Sequence, residues 1–130
     1  MDHGAHAFEV AAREAFAFLA PLGFAPGPVR GAGTSFPALP WLGRHRGFLL
    51  AYDARERAAS LYVLDEAGVR AAAGGVPTMG RDVWALLVDR QGCRRGLPGA
   101  DPADPASQVR AWAALLAGPG AFLLFDRPLE

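Results

Sequence analysis

The chain holds one cysteine, three histidines and 13 carboxylates, and their spacing decides what chemistry they could support. Cys93 sits in Gly92-Cys93-Arg94-Arg95-Gly96, where two guanidinium groups would favour the thiolate. A thiolate nucleophile also needs a base, and the histidine away from the N-terminus is His45. His45 with Cys93 is therefore the pair from which a catalytic site could be built; a loop cysteine without a partner is the simpler reading. His3 and His6, with Asp2 and Glu9 nearby, have a spacing that could hold a metal on one helical turn. No other ligand is placed with them in sequence, and a chain end is a poor scaffold, so no metal site is assigned. Asp53, Asp65 and Glu66 fall at the two ends of one hairpin. Strands that pair outward from the turn put Asp65 far from Asp53, which gives the paired-acid geometry of glycoside hydrolysis no support.

Several chemistries are excluded outright. The sequence has no lysine, so Schiff-base catalysis and a phosphate-loop lysine are unavailable. The glycine-rich stretches GAGTS at 31–35 and GGVPTMG at 74–80 match no nucleotide-binding fingerprint and are read as loops. No cofactor is expected. One cysteine permits no internal disulfide and no thiolate cage, which fits a reducing compartment. The N-terminal stretch lacks the basic start of a signal peptide, and no apolar run approaches the ~20 residues of a membrane span, so a cytoplasmic protein with no membrane partner is expected. Asparagine and isoleucine are missing along with lysine, the signature of a bacterial gene rich in G+C.

The remaining candidates are aromatic and basic. Trp41 stands between Pro40 and Leu42 in a Pro/Gly-rich stretch that cannot form a long regular strand, with Arg44, His45 and Arg46 just beyond. Trp and Arg are the residue types most enriched in binding hot spots, so Trp41, Arg44 and Arg46 are the expected partner-binding residues. The bland alternatives are core or sheet-edge cover for the tryptophans Trp41 and Trp84, and a solvated turn for the arginines. A net charge of zero supplies no basic field to collect nucleic acid, although Arg44, Arg46, Arg94 and Arg95 could make local contacts.

These residues must be positioned by short elements, because 16 glycines and 11 prolines punctuate a chain of 130 residues that is 52% hydrophobic. That length suits one domain able to fold without staples. Residues 46–65 read as a β-hairpin: Phe48, Leu50 and Tyr52 alternate with Leu49, Ala51 and Asp53, and Ala59, Leu61 and Val63 alternate with Ser60, Tyr62 and Leu64. The polar run 53–57 lacks glycine and predicts a four- or five-residue loop around a type I turn, with Asp53 bonding the backbone ahead of it. Residues 5–20 predict an amphipathic helix stopped by Pro21 and Gly23, with Phe8, Ala12, Ala15, Phe16 and Leu19 on its apolar side. Short edge or interrupted strands are expected near 28–31 and 35–41, because proline removes ladder donors. Residues 66–68 read as a turn and the small residues after them as a loop. Residues 81–89 fit either a buried strand or a short helix with Thr78 as N-cap; the helix is favoured. Residues 92–104 read as a polar loop. Asp104-Pro105 starts a last helix with Val109, Trp112, Ala113 and Leu116 on one face, and residues 121–125 must tuck back into the core. Helix, strands, then helices is the α+β order. The expected architecture is an antiparallel sheet of about four strands with the N-terminal and C-terminal helices on one face.

The stretches FAFLAPLGF at 16–24, LLAYDARERAASLYV at 49–63, VWALLV at 83–88 and WAALLAGPGAFLL at 112–124 resemble small α+β proteins of high-G+C bacteria, including immunity-type proteins of toxin systems. These are packing motifs and carry no catalytic residues. The resemblance implies a non-enzymatic interaction protein whose partner is another protein; self-association stays open. The competing class is a small enzyme or ligand-binding domain with a pocket between sheet and helices, using His45 or Cys93.

Overall fold

Why the central hairpin forms is visible in its register. In the computed structural model, which describes residues 3–31, 34–76, 80–83, 85–86 and 104–127, β3 (Gly47–Asp53) pairs antiparallel with β4 (Ala58–Leu64) from Asp53 opposite Ala58 to Gly47 opposite Leu64. The intervening residues 54–57 make the four-residue turn expected from the sequence. Asp53 Oδ1 accepts from Arg55 N at 2.9 Å and Glu56 N at 3.3 Å, and Arg57 completes the turn at φ 52°. Asp53 and Asp65 stand at opposite ends of the pair, as expected.

Three short strands complete an all-antiparallel meander. β1 (Ala25–Pro26) and β2 (Ala38–Leu42) lie beyond β3, and β5 (Arg81–Asp82) lies beyond β4, in the order β1-β2-β3-β4-β5. The sheet thus has five strands where about four were expected, and two of them are only two residues long. The stretch 28–31 is no strand: it contributes one isolated bridge, Arg30 to Ala38. Gly27 N bonds Pro40 O and Arg30 N bonds Ala38 O, so three steps on one side match two on the other. One residue is therefore in excess, a bulge. Residues 81–82 pair with Val63 and Tyr62, while Val83, Ala85 and Leu86 are helical. The ambiguous 81–89 segment is thus part strand and part helix as far as it is described; Thr78 and the residues after Leu86 up to 103 lie outside the described residues.

Period two sorts the strand side chains onto two faces. Leu39, Leu50 and Leu61 are cross-strand neighbours on one face, as are Trp41, Phe48 and Val63. This face meets α1 (His3–Ala15) and the C-terminal helix α3 (Pro105–Ala117) in one buried cluster. Phe8 stacks on Tyr52 at 5.1 Å between ring centroids, and Phe24 meets Phe48 edge-on at the same distance. The N-terminal helix is shorter than the sequence pattern suggested. Pro21 has no N–H and its ring opposes a continued α-helix, so residues Ala17–Leu22 tighten into a 3-10 turn that Gly23 ends at φ 98°.

The other sheet face is covered as well. Residues expected to form a turn and a loop make helix α2 (Glu66–Ala73), whose Val69 and Ala72 bury Ala38, Leu49, Ala51 and Leu64. Asp65 caps it, with Oδ1 accepting from Gly68 N at 2.8 Å.

Helix α3 also closes the outer edge of β4. Gln108 Oε1 accepts from Ala59 N at 2.8 Å, Trp112 Nε1 donates to Ala59 O at 2.8 Å, and Gln108 Nε2 donates to Arg57 O. Side chains thus take the place of a neighbouring strand. Its N-cap is Asp104, which accepts from Ala106 N at 3.1 Å ahead of Pro105, as the sequence implied. The final apolar turn, Ala121–Leu123, tucks back with Leu123 buried.

Two variants test this packing. Leu50 is fully buried at the centre of the sheet, so Leu50→Ala should lower unfolding free energy by about 2–5 kcal/mol in denaturant melts. Gln108→Leu leaves the Ala59 amide and the Arg57 carbonyl without their partners and should cost about 1–3 kcal/mol. A loss within error for Leu50→Ala would make the strand peripheral, and a neutral Gln108→Leu would remove the edge-closing role.

Candidate functional site

The turn from β2 to β3 gathers the basic residues singled out in the sequence, and the structure puts them to work on the chain's own tail. Backbone N–H groups of Arg44, His45 and Arg46 converge on the Asp126 carboxylate at 2.7, 2.7 and 3.2 Å. Gly43 makes the seat possible: a Cβ there would stand 2.7 Å from Asp126 Oδ1. Burial acts to raise the Asp126 pKa, but the three N–H donors and the charge of His45 outweigh it and hold the carboxyl below the usual range. The Arg46 guanidinium donates from Nε to Arg127 O at 2.8 Å and from Nη1 to Leu123 O at 3.0 Å. His45 Nδ1 meets Glu66 Oε1 at 2.8 Å, joining the same turn to the first residue of α2, and Arg70 approaches Glu66 from the next helical turn at 4.0 Å.

This arrangement corrects the expected partner surface. Trp41 is 3% exposed and stacks on Phe16 at 4.9 Å. Its position in β2 turns the ring into the helix-covered face. Arg46 is 5% exposed and occupied by tail carbonyls. Of the three residues expected to form the hot spot, only Arg44 is exposed. Of the alternative pair, His45 is engaged with Glu66, and Cys93 lies outside the described residues, as do Trp84, Arg94, Arg95 and the side chain of His3. Among the described residues no group of three or more His, Cys, Asp and Glu is placed to hold a metal. Gly31 and Thr34 form a local turn, with Thr34 Oγ1 donating to Gly31 O and accepting from Phe36 N. No described helix is long and apolar enough to cross a membrane.

Trp41 nevertheless helps to build a site. It is one of the residues lining a cleft of about 240 Å³ between the N-terminal segment and the outer strands. Phe16, Ala17 and Ala20 make one wall, Pro26 and Trp41 contribute to the other, and Arg13 is the lining residue that carries charge. The Pro/Gly-rich stretch before β3 leaves Phe36 exposed and also contributes to a concavity. The 3-10 turn forced by Pro21 presents Ala17 and Ala20, both small and exposed, so the cleft stays open. Sequence reasoning missed it because its walls come from residues 13–20 and 26–41, which only the docking of helix on sheet brings together.

No family model matches the chain, and neither the curated proteins nor the solved structures contain a significant match to it.

The tail clasp has a definite pH signature. Because the folded-state pKa of Asp126 is depressed, its contribution is full above the usual aspartate range and is lost as pH falls through the folded value. Asp126→Ala should therefore reduce stability at neutral pH by about 1–2 kcal/mol and flatten the acid limb of the stability curve. Urea melts across that range would detect it; an unchanged acid limb would show that the clasp does not contribute.

Proposed function

We propose that this chain is a non-enzymatic, cytoplasmic interaction protein of the immunity type, which acts by binding another protein through the cleft beside Trp41. The observation that carries this reading is the composition of that cleft. Its lining is apolar apart from Arg13 and includes no group suited to accept or give a proton near neutral pH. A concave apolar site is suited to receive a side chain, and a pocket filled by one buried anchor is where binding energy concentrates at protein interfaces. Its volume of about 240 Å³ lies below the ~300–1,000 Å³ typical of pockets for drug-sized ligands, which favours a side chain over a free ligand. The polar groups elsewhere support the same reading. Asp53, Asp65, Asp104 and Asp126 each accept backbone N–H bonds at turns and helix starts. These are structural tasks.

Plugging the cleft tests the proposal. Ala17 is an exposed wall residue, so Ala17→Phe should leave stability within about 0.5 kcal/mol of the parent. It should weaken binding to the product of the neighbouring gene, or to a partner captured from the source bacterium, by about 30-fold or more, the loss of one hot-spot anchor. A partner held equally well by both proteins would refute the cleft assignment.

A further inference from the structure

We infer that the turn at residues 43–46 is a receptor for a carboxylate-bearing peptide segment, and that Asp126 of the chain's own tail is an exchangeable occupant. This site is separate from the cleft, and neither reading depends on the other.

The seat is shaped without help from the tail. Gly43 N donates to Arg46 O at 2.9 Å, and the pairing of Leu42 with Gly47 closes the turn between β2 and β3. His45 Nδ1 lies 2.8 Å from Glu66 Oε1, which holds the turn from the side of α2. The N–H groups of Arg44, His45 and Arg46 are therefore kept converged by the strands and by α2, in the manner of a backbone anion site. Arg46 is aimed in advance as well, because Leu123, whose carbonyl accepts from Nη1, is itself buried in the core.

The present occupant defines the ligand chemistry. Three N–H groups take the carboxylate of one residue, and Arg46 Nε takes the carbonyl of the next, Arg127 O, at 2.8 Å. Burial alone would favour the neutral acid, yet the N–H donors and the charge of His45 hold the Asp126 carboxyl below its usual range, so the seat selects the anion. Flanking side chains are not read: Phe125 is 61% exposed, and Arg127 is exposed too.

The tail is also held in a way that permits exchange. None of residues 125–127 is buried, and the Phe125 ring lies against the Arg127 guanidinium at 5.6 Å rather than in the core. Segments with few buried apolar contacts open at low free-energy cost. The bond from Arg44 N to Asp126 Oδ2 lies on the exposed side of the seat, where a competing carboxylate has access. Such a ligand binds the parent chain with an affinity reduced by the fraction of time the tail is open.

The probe is the acetylated, amidated peptide LFDRP, the sequence of residues 124–128, titrated into the isotope-labelled full chain and its Asp126→Ala variant. The amide resonances of Arg44, His45 and Arg46 should shift. The variant should bind about ten-fold or more tightly than the parent, because the competing carboxylate is gone. A peptide with Asn in place of its Asp should bind about ten-fold or more weakly. Acetate should compete where chloride at equal ionic strength does not. Equal binding of the Asp and Asn peptides, equal affinity of parent and variant, or shifts that gather at the cleft instead of residues 44–46 would overturn the inference. Should Asp126→Ala prove too unstable to titrate, the two peptides on the parent chain still decide it: a response at residues 44–46 to the Asp peptide alone supports the receptor, and no response or the same response to both refutes it.

Discussion

Burial of β3 on both faces is the constraint that organises the molecule. Residues 47–52 are all buried, so every side chain of the strand, inward or outward in the pleat, needs cover. One layer of helices could satisfy Phe48, Leu50 and Tyr52 but not Leu49 and Ala51. Helices α1 and α3 cover the first set and α2 covers the second. At roughly 25 cal/mol per Å² of apolar surface removed from water, covering both faces is where most of the folding free energy must arise. The short outer strands then serve as frame. They extend the sheet far enough to seat the helices and end where proline or a side-chain bond closes the edge.

The polar residues follow from that constraint. Once the centre is sealed, exposed turns and chain ends are where backbone groups lack partners, and the carboxylates cluster there. Asp126 ties the tail to the β2–β3 turn, and Arg46 reaches back to the same tail through two carbonyls. His45 links that turn to α2 through Glu66. What looked in the sequence like a small basic patch is a junction where tail, turn and helix meet. The cleft lies elsewhere, where the 3-10 turn and the outer strands face each other, and it keeps an apolar lining with one charge. That separation between a polar junction and an apolar recess is the physical basis for reading the protein as a binder.

Much of the fold was legible because it depends on local periodicity. The hairpin at 47–64, its Asp53 turn, the apolar stripe Phe8, Ala12, Phe16 and Leu19, and the Asp104-Pro105 helix start are each encoded within one short local stretch of sequence. Helix α2 was not legible. Gly68 lowers helix propensity, and Val69 with Ala72 is too thin a stripe to declare a face. The signals that could have found it were Asp65 as a cap and the continuous apolar run at 48–52, which asks for cover on a second side.

The candidate site shows the same boundary. Residue types alone marked Trp41, Arg44, His45 and Arg46 as worth attention, and excluded lysine chemistry and internal disulfides for this sequence. Whether Trp41 met water or Phe16 was decided by register: placing it opposite Phe48 in β2 turned its ring toward the helices. Whether Arg46 was free was decided by contact with residues about eighty positions away. Local sequence determines which elements form, because turn, cap and period are short-range properties. Exposure and pairing of individual side chains are long-range properties, fixed only when helices, sheet and tail dock and choose which polar groups share a partner.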